Sequence, residues 1–206
     1  MFAGIITDVT NRLFDLSGIW WFLALILVIA FFDSVIPVVP SETLVIMGGI
    51  AASQHQYSVL LVILLGAVGA FLGDNTAYAL GNLARPWFER RAEARPKFGK
   101  RLEWAKEQIA VRGGMLLITA RFIPGGRTAL TLSSGITRQP RRWFFGWITA
   151  AVLIWATYAA MLGYIGGKAA KDNHTAAFMI AFGTALGVNA VIELVRHFRK
   201  PKSAPV

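Results

Sequence analysis

Residues 143–167 contain no charged side chain. About 20 consecutive apolar residues cross a bilayer as a helix, so this one run already predicts a membrane-embedded chain. Three further runs share its character. Residues 19–32 open beside Trp20-Trp21, a pair suited to a membrane interface. Residues 58–83 are interrupted by Asp74-Asn75, and residues 175–195 are broken only by Glu193. We therefore expect four spanning helices. The 19–32 run is not a secretory signal on this reading, because it meets Asp33 and two prolines where a small-residue cleavage site would stand. A chain that is 55% hydrophobic and only 16% charged is not disordered, and it does not resemble a soluble basic protein.

Two more segments are apolar but interrupted. Residues 33–52 contain Pro37, Pro40, Gly48 and Gly49; residues 113–137 contain Pro124, Gly125, Gly126 and Gly135. Bent backbone at membrane depth is tolerated only where protein or a wet cavity covers it. Both segments are expected to be re-entrant helical hairpins.

The charges orient these elements. Residues 85–112 hold nine Lys or Arg against four acids, an amphipathic segment expected on the cytoplasmic side. That puts Leu83 inside and Ser58 outside. If the hairpins enter from opposite faces, Arg138, Arg141, Arg142 and the basic tail 196–206 also fall inside, and both termini are cytoplasmic. The net charge of +10 is then membrane orientation rather than a nucleic-acid footprint. The chain has no cysteine and three scattered histidines (His55, His174, His197), so no disulfide, metal site or cofactor is expected.

The hairpins resemble each other. One reads Ile36-Pro37-Val38-Val39-Pro40-Ser41-Glu42-Thr43, then Gly49-Ile50; the other reads Ile123-Pro124-Gly125-Gly126-Arg127-Thr128, then Gly135-Ile136. With opposite orientations they form an inverted repeat, an arrangement that places a substrate site where the halves meet. The first carries acids, Asp33 and Glu42. The second carries bases, Arg121 and Arg127. Charge in a bilayer centre costs about 2.5–3.5 kcal/mol per group even on lenient scales, so these four are expected to meet. Either they lock the hairpins as salt bridges, or they line a polar cavity. In the cavity reading the arginines hold a phosphate through their planar forks, while Asp33 and Glu42 exchange protons. Thr43, Thr128, Pro40, Pro124, Gly125 and Gly126 would support the two turns. Asp74 follows a Gly66-x2-Gly69-x3-Gly73 stripe suited to close helix packing; it either caps a broken helix or joins the cavity, and the structural role is the preferred one.

Three stretches carry a family resemblance: Phe32-Asp33-x3-Pro37-x2-Pro40-Ser41-Glu42 with Gly48-Gly49; Gly73-Asp74-x3-Tyr78-x2-Gly81; and Arg121-Phe122-x-Pro124-x2-Arg127 with Gly135. Trp155, Gly163 and Tyr164 fit the same pattern. Over about residues 19–195 the chain resembles the DedA family, also called the VTT or SNARE-associated family. It departs in having Asp33 for a usual Glu, Ser41 for Gly and Ser134 for Ala; none of these removes a charge. The resemblance implies an all-α polytopic protein of the bacterial inner membrane, one membrane domain over 1–206, with two opposed re-entrant hairpins. It implies a transporter or flippase for a phosphate-headed lipid such as undecaprenyl phosphate, with Asp33, Glu42, Arg121 and Arg127 needed for activity. The partners implied are the lipid head group, membrane lipids and protons, and a homo-oligomer is compatible with it.

Other classes remain as alternatives: a phospholipid scramblase, a proton-coupled small-anion transporter, a structural scaffold, or a polyprenyl-phosphate phosphatase. An enzyme is disfavoured. The chain lacks a serine before Arg127, a Glu-x3-Glu pair in an apolar segment, and a Pro-Ser-Gly-His segment.

Overall fold

A computed structural model describes residues 20–36, 41–122, 126–169 and residue 183. The expected span 175–195 apart from residue 183, the tail, and the turn residues Pro37, Pro40, Pro124 and Gly125 lie outside the described residues. Those described form six α-helices and one 3-10 turn, with no strand: α1 (Trp20–Val35), α2 (Ser41–Ser53), α3 (Val59–Ala94), α4 (Pro96–Thr119), the turn Ala120–Phe122, α5 (Gly126–Ile136) and α6 (Arg141–Ala169). Helices α3 and α6 are long and apolar enough to cross a membrane; α1 and α2 are apolar but shorter.

Helix α1 does not stop at Phe32. Nothing in the sequence breaks it before Pro37, and the Ile36 amide still bonds the Phe32 carbonyl at 2.7 Å. Asp33 therefore belongs to the last turn of α1, and segment 33–52 contributes a single helix of its own, α2. Helix α3 is capped by Ser58, whose hydroxyl accepts from the Leu60 amide at 3.3 Å. It then runs past Leu83 and through Pro86 to Ala94. The change from apolar to charged residues marks where the surroundings become polar, not where the helix ends. Arg85 and Glu89, paired at 3.0 Å one turn apart, bridge the proline. The segment expected as one amphipathic unit, 85–112, is thus divided between the end of α3 and the start of α4.

Helix α4 is broken at Gly113, whose φ of 42° and ψ of −124° are not helical. A side chain there would be strained at that φ and would also stand 2.9 Å from the Trp143 ring. Beyond the break, a short apolar limb leads into the turn Ala120–Phe122, and α5 follows after residues 123–125.

Close packing joins helices distant in sequence. Helix α2 lies along α6, where Gly49 meets the backbone of Ala160 and Tyr164, and Gly163 meets the Ile46 carbonyl. Helix α5 lies along α3 in the same manner: Gly135 meets the backbone of Tyr78 and Asn82, and Gly81 meets that of Leu132. Glycines let these backbones approach as no larger residue would. Phe22, Ile26, Val45, Ile46, Ile50, Val62, Phe144 and Ile148 fill the space between the helices. Leu61, Leu64, Val68, Leu72, Leu80, Leu83 and Trp87 instead face outward along α3. They recur every three or four residues except between Leu72 and Leu80, where Thr76 takes the place and turns its hydroxyl onto the Leu72 carbonyl at 2.9 Å, and together they make an apolar face larger than a soluble protein exposes.

Candidate functional site

Gly73 sets the geometry of the site. It lies against the Phe31 carbonyl and the Ser34 side chain, so the end of α1 sits directly on the middle of α3. The Ser34 hydroxyl fixes this contact by donating to the carbonyls of Ala70 at 3.2 Å and Ala30 at 3.0 Å. Thr128 in the first turn of α5 then donates to the Ser34 carbonyl at 3.1 Å, tying α5 to α1. The result places Arg127 between two aspartates. Its Nη2 is 3.1 Å from Asp33 Oδ2, and its Nε is 3.8 Å from Asp74 Oδ1. Arg121, presented by the 3-10 turn, pairs through Nη1 with Asp74 Oδ2. Ser41, opening α2, donates its hydroxyl to Asp33 Oδ2.

Burial grades these groups. The Arg121 and Asp74 side chains have 0% exposure, while Arg127 keeps 10% and Asp33 19%. The Arg121 guanidinium also stands 5.3 Å from the Trp155 ring centroid, a cation–π contact that strengthens out of water. Even so, Arg121 Nε and Nη2 and Asp74 Oδ1 have no hydrogen-bond partner among the described residues. A buried polar atom left unpaired costs about 1–3 kcal/mol, and more when charged. Two aspartates and two arginines balance in charge as arranged.

The depth follows from α3. Asp74 lies midway between Leu61 and Trp87, the ends of the outward apolar face. At 1.5 Å per residue each end is roughly 20 Å away, so the charges occupy the middle of the band that would meet lipid. The Arg91 guanidinium, 5.2 Å over the Trp87 ring, marks one edge of it.

The structure thus brings together Asp33, Asp74, Arg121, Arg127 and Thr128. Glu42 stands apart from the arginines. It lies half-buried in the first turn of α2, within electrostatic reach of Asp33 and Tyr158. Among the described residues neither arginine forms an ion pair with Glu42; Asp74 takes the place the sequence reading gave to it. Thr43 is half-buried beside Glu42, and Gly126 opens α5. Sequence reasoning assigned nothing to Ser34 and left Trp155 without a role. The signal for Ser34 was its place one residue after Asp33, and for Trp155 a large π face in a helix that has no acid to offer a buried cation. No group of three side chains able to hold a metal occurs among the described residues.

This geometry sits within a recognised family. The sequence matches the VTT domain over residues 39–165, and the chain belongs to that family. It is similar to Protein DedA of Escherichia coli (strain K12), 26% identical with 88% of this chain and 85% of the relative covered. It is also similar to Undecaprenyl phosphate transporter A of Bacillus subtilis (strain 168), 26% identical with 79% of this chain and 82% of the relative covered. An uncharacterized membrane protein of Haemophilus influenzae is 29% identical, with 76% and 74% covered. No solved structure matches the chain.

Proposed function

We propose that this protein moves a phosphate-headed lipid between the leaflets of the bacterial inner membrane, with a proton travelling in step. The observation that carries this reading is Arg127. It is a guanidinium with 10% exposure, held between two carboxylates at the middle of the lipid-facing band. Its planar fork fits phosphate oxygens, and it is the more accessible of the two arginines. The relative named for undecaprenyl phosphate transport makes a polyprenyl phosphate the first substrate to test.

Charge balance supplies the proton. The four-membered cluster is neutral, so an arriving anion leaves an excess negative charge in a medium that tolerates none. A proton on Asp33 or Glu42 removes it. Asp33 is the least buried of the four and adjoins Phe32, which faces outward; a head group would enter from lipid at this end of α1. The exchange of helices, α2 onto α6 and α5 onto α3, supports an inverted repeat whose hairpins open the site to either face in turn.

The competing reading is an internal lock, favoured by the pairing of both arginines with aspartates. Head-group accessibility in reconstituted vesicles separates the two. Wild-type protein should expose undecaprenyl phosphate to the opposite leaflet, and Arg127→Lys, which keeps charge but loses the fork, should do so much more slowly while folding normally. Equal rates would favour the lock. Release of inorganic phosphate in the same vesicles would instead indicate a phosphatase.

A further inference from the structure

Asp74 commits one oxygen to Arg121 and leaves the other, 3.8 Å from Arg127 Nε, without a hydrogen bond among the described residues. Arg127 is meanwhile held through Nη2 by Asp33 at 3.1 Å. One guanidinium therefore touches one carboxylate and nearly touches another. Hydrogen bonds of this kind span about 2.7–3.2 Å, so a shift of about 1 Å would close the second contact. We propose that Asp74 is a second seat for Arg127. When Asp33 is neutralised by a proton, or a head-group oxygen displaces it, the guanidinium settles onto Asp74 Oδ1. Asp74 is then a positioning residue for Arg127, beyond its pairing with Arg121.

The surroundings make the two seats unequal. Asp33 lies at the end of α1 and keeps some exposure; Asp74 is fully buried in α3 and anchored by Arg121. The other charged or titratable groups nearby are Glu42 of α2, which lies within reach of Asp33, and Tyr158 of α6, which lies within reach of Glu42. Neither forms an ion pair with Arg127 among the described residues. The first seat ties α5 to α1; the second ties α5 to α3, on which it already packs through Gly81 and Gly135. The switch thus loosens α1 from α5, leaving the Thr128–Ser34 bond between them, without disturbing α3. A guanidinium has five N–H donors, so donating Nε to Asp74 leaves others for a phosphate.

The test uses full-length protein in nanodiscs, labelled with 15N-arginine and 13C-aspartate, with Arg127→Lys and Asp74→Glu samples to assign the resonances. Asp33→Asn keeps the Asp74–Arg121 pair and neutralises the first seat, as a proton on Asp33 would. Its Arg127 Nε–H should exchange with water roughly tenfold to a hundredfold more slowly, as expected for a new bond to a charged acceptor. The Asp74 carboxyl resonance should shift with it. Unchanged or faster exchange, or slowing without an Asp74 shift, would overturn the proposal. Undecaprenyl phosphate added to wild type should reproduce both changes. This last arm alone rests on the transport reading: a response to Asp33→Asn without one to the lipid keeps the second seat and removes the lipid.

Discussion

Arg121 and Asp74 form an ion pair in which neither side chain has any exposed surface. Removing one partner strands the other. Asp74→Asn or Arg121→Gln should each destabilise the fold by about 3–5 kcal/mol. The double replacement Arg121→Met with Asp74→Leu should recover most of that loss. Chemical denaturation in bilayer mimics reads it out; losses that simply add would mean the two charges do not act as a pair.

Gly73 should not tolerate even a methyl group. A Cβ there would lie 2.6 Å from the Ser34 Cβ and against the Phe31 carbonyl. Gly73→Ala should cost roughly 1–3 kcal/mol by overpacking, and should displace Asp33 with the end of α1. Gly146 has nothing within 4 Å of the same added atom, so Gly146→Ala should be neutral or stabilise by up to about 1 kcal/mol. Thermal unfolding of both variants makes the comparison, and equal behaviour would contradict the packing of α1 on α3.

Binding of undecaprenyl phosphate should depend on pH with a definite sign. If an anion joining the neutral cluster takes up one proton, affinity must fall as pH rises, by at most about tenfold per unit. Amide variants mimic the protonated acid, so Asp33→Asn or Glu42→Gln should flatten the profile. They should slow pH-driven transport more than they weaken binding in acid. A slope retained in both variants would show that the acids are structural partners.

Topology can be read by labelling, because the wild-type chain has no cysteine. A cysteine at Ser53, the end of α2, should react from outside, and one at Thr137, just past α5, from inside. Reaction of both from one face would rule out opposed hairpins.

The motifs made Asp33, Arg121 and Arg127 legible because charge inside an apolar run is costly and must be compensated. What they could not give was the pairing. Asp74 and Arg121 lie 47 residues apart and meet only because glycines bring α3 close to its neighbours. Glu42 sits one residue beyond Ser41, and a helical step of one residue points it elsewhere; the hydroxyl, not the carboxylate, reaches Asp33. The end of α3 was misplaced for a different reason. Polarity changes at residue 84, but Arg, Glu and Ala are good helix formers and carry the helix ten residues further. The break at Gly113, by contrast, coincides with an expected boundary, where a Gly-Gly pair meets the start of an apolar run.

The packing of α2 on α6 bears on how the chain is made. When α2 leaves the ribosome, its partner has not been synthesised; the stretch from Ser53 to Arg141 must come first. At about 5–20 residues per second this takes on the order of ten seconds. Throughout that interval the close-packing face at Gly49 has no α6 to rest on, and α2 is held through its contacts with α1 and, once it is made, α3. A chain stopped before residue 141 lacks α6, the surface against which Gly49 packs.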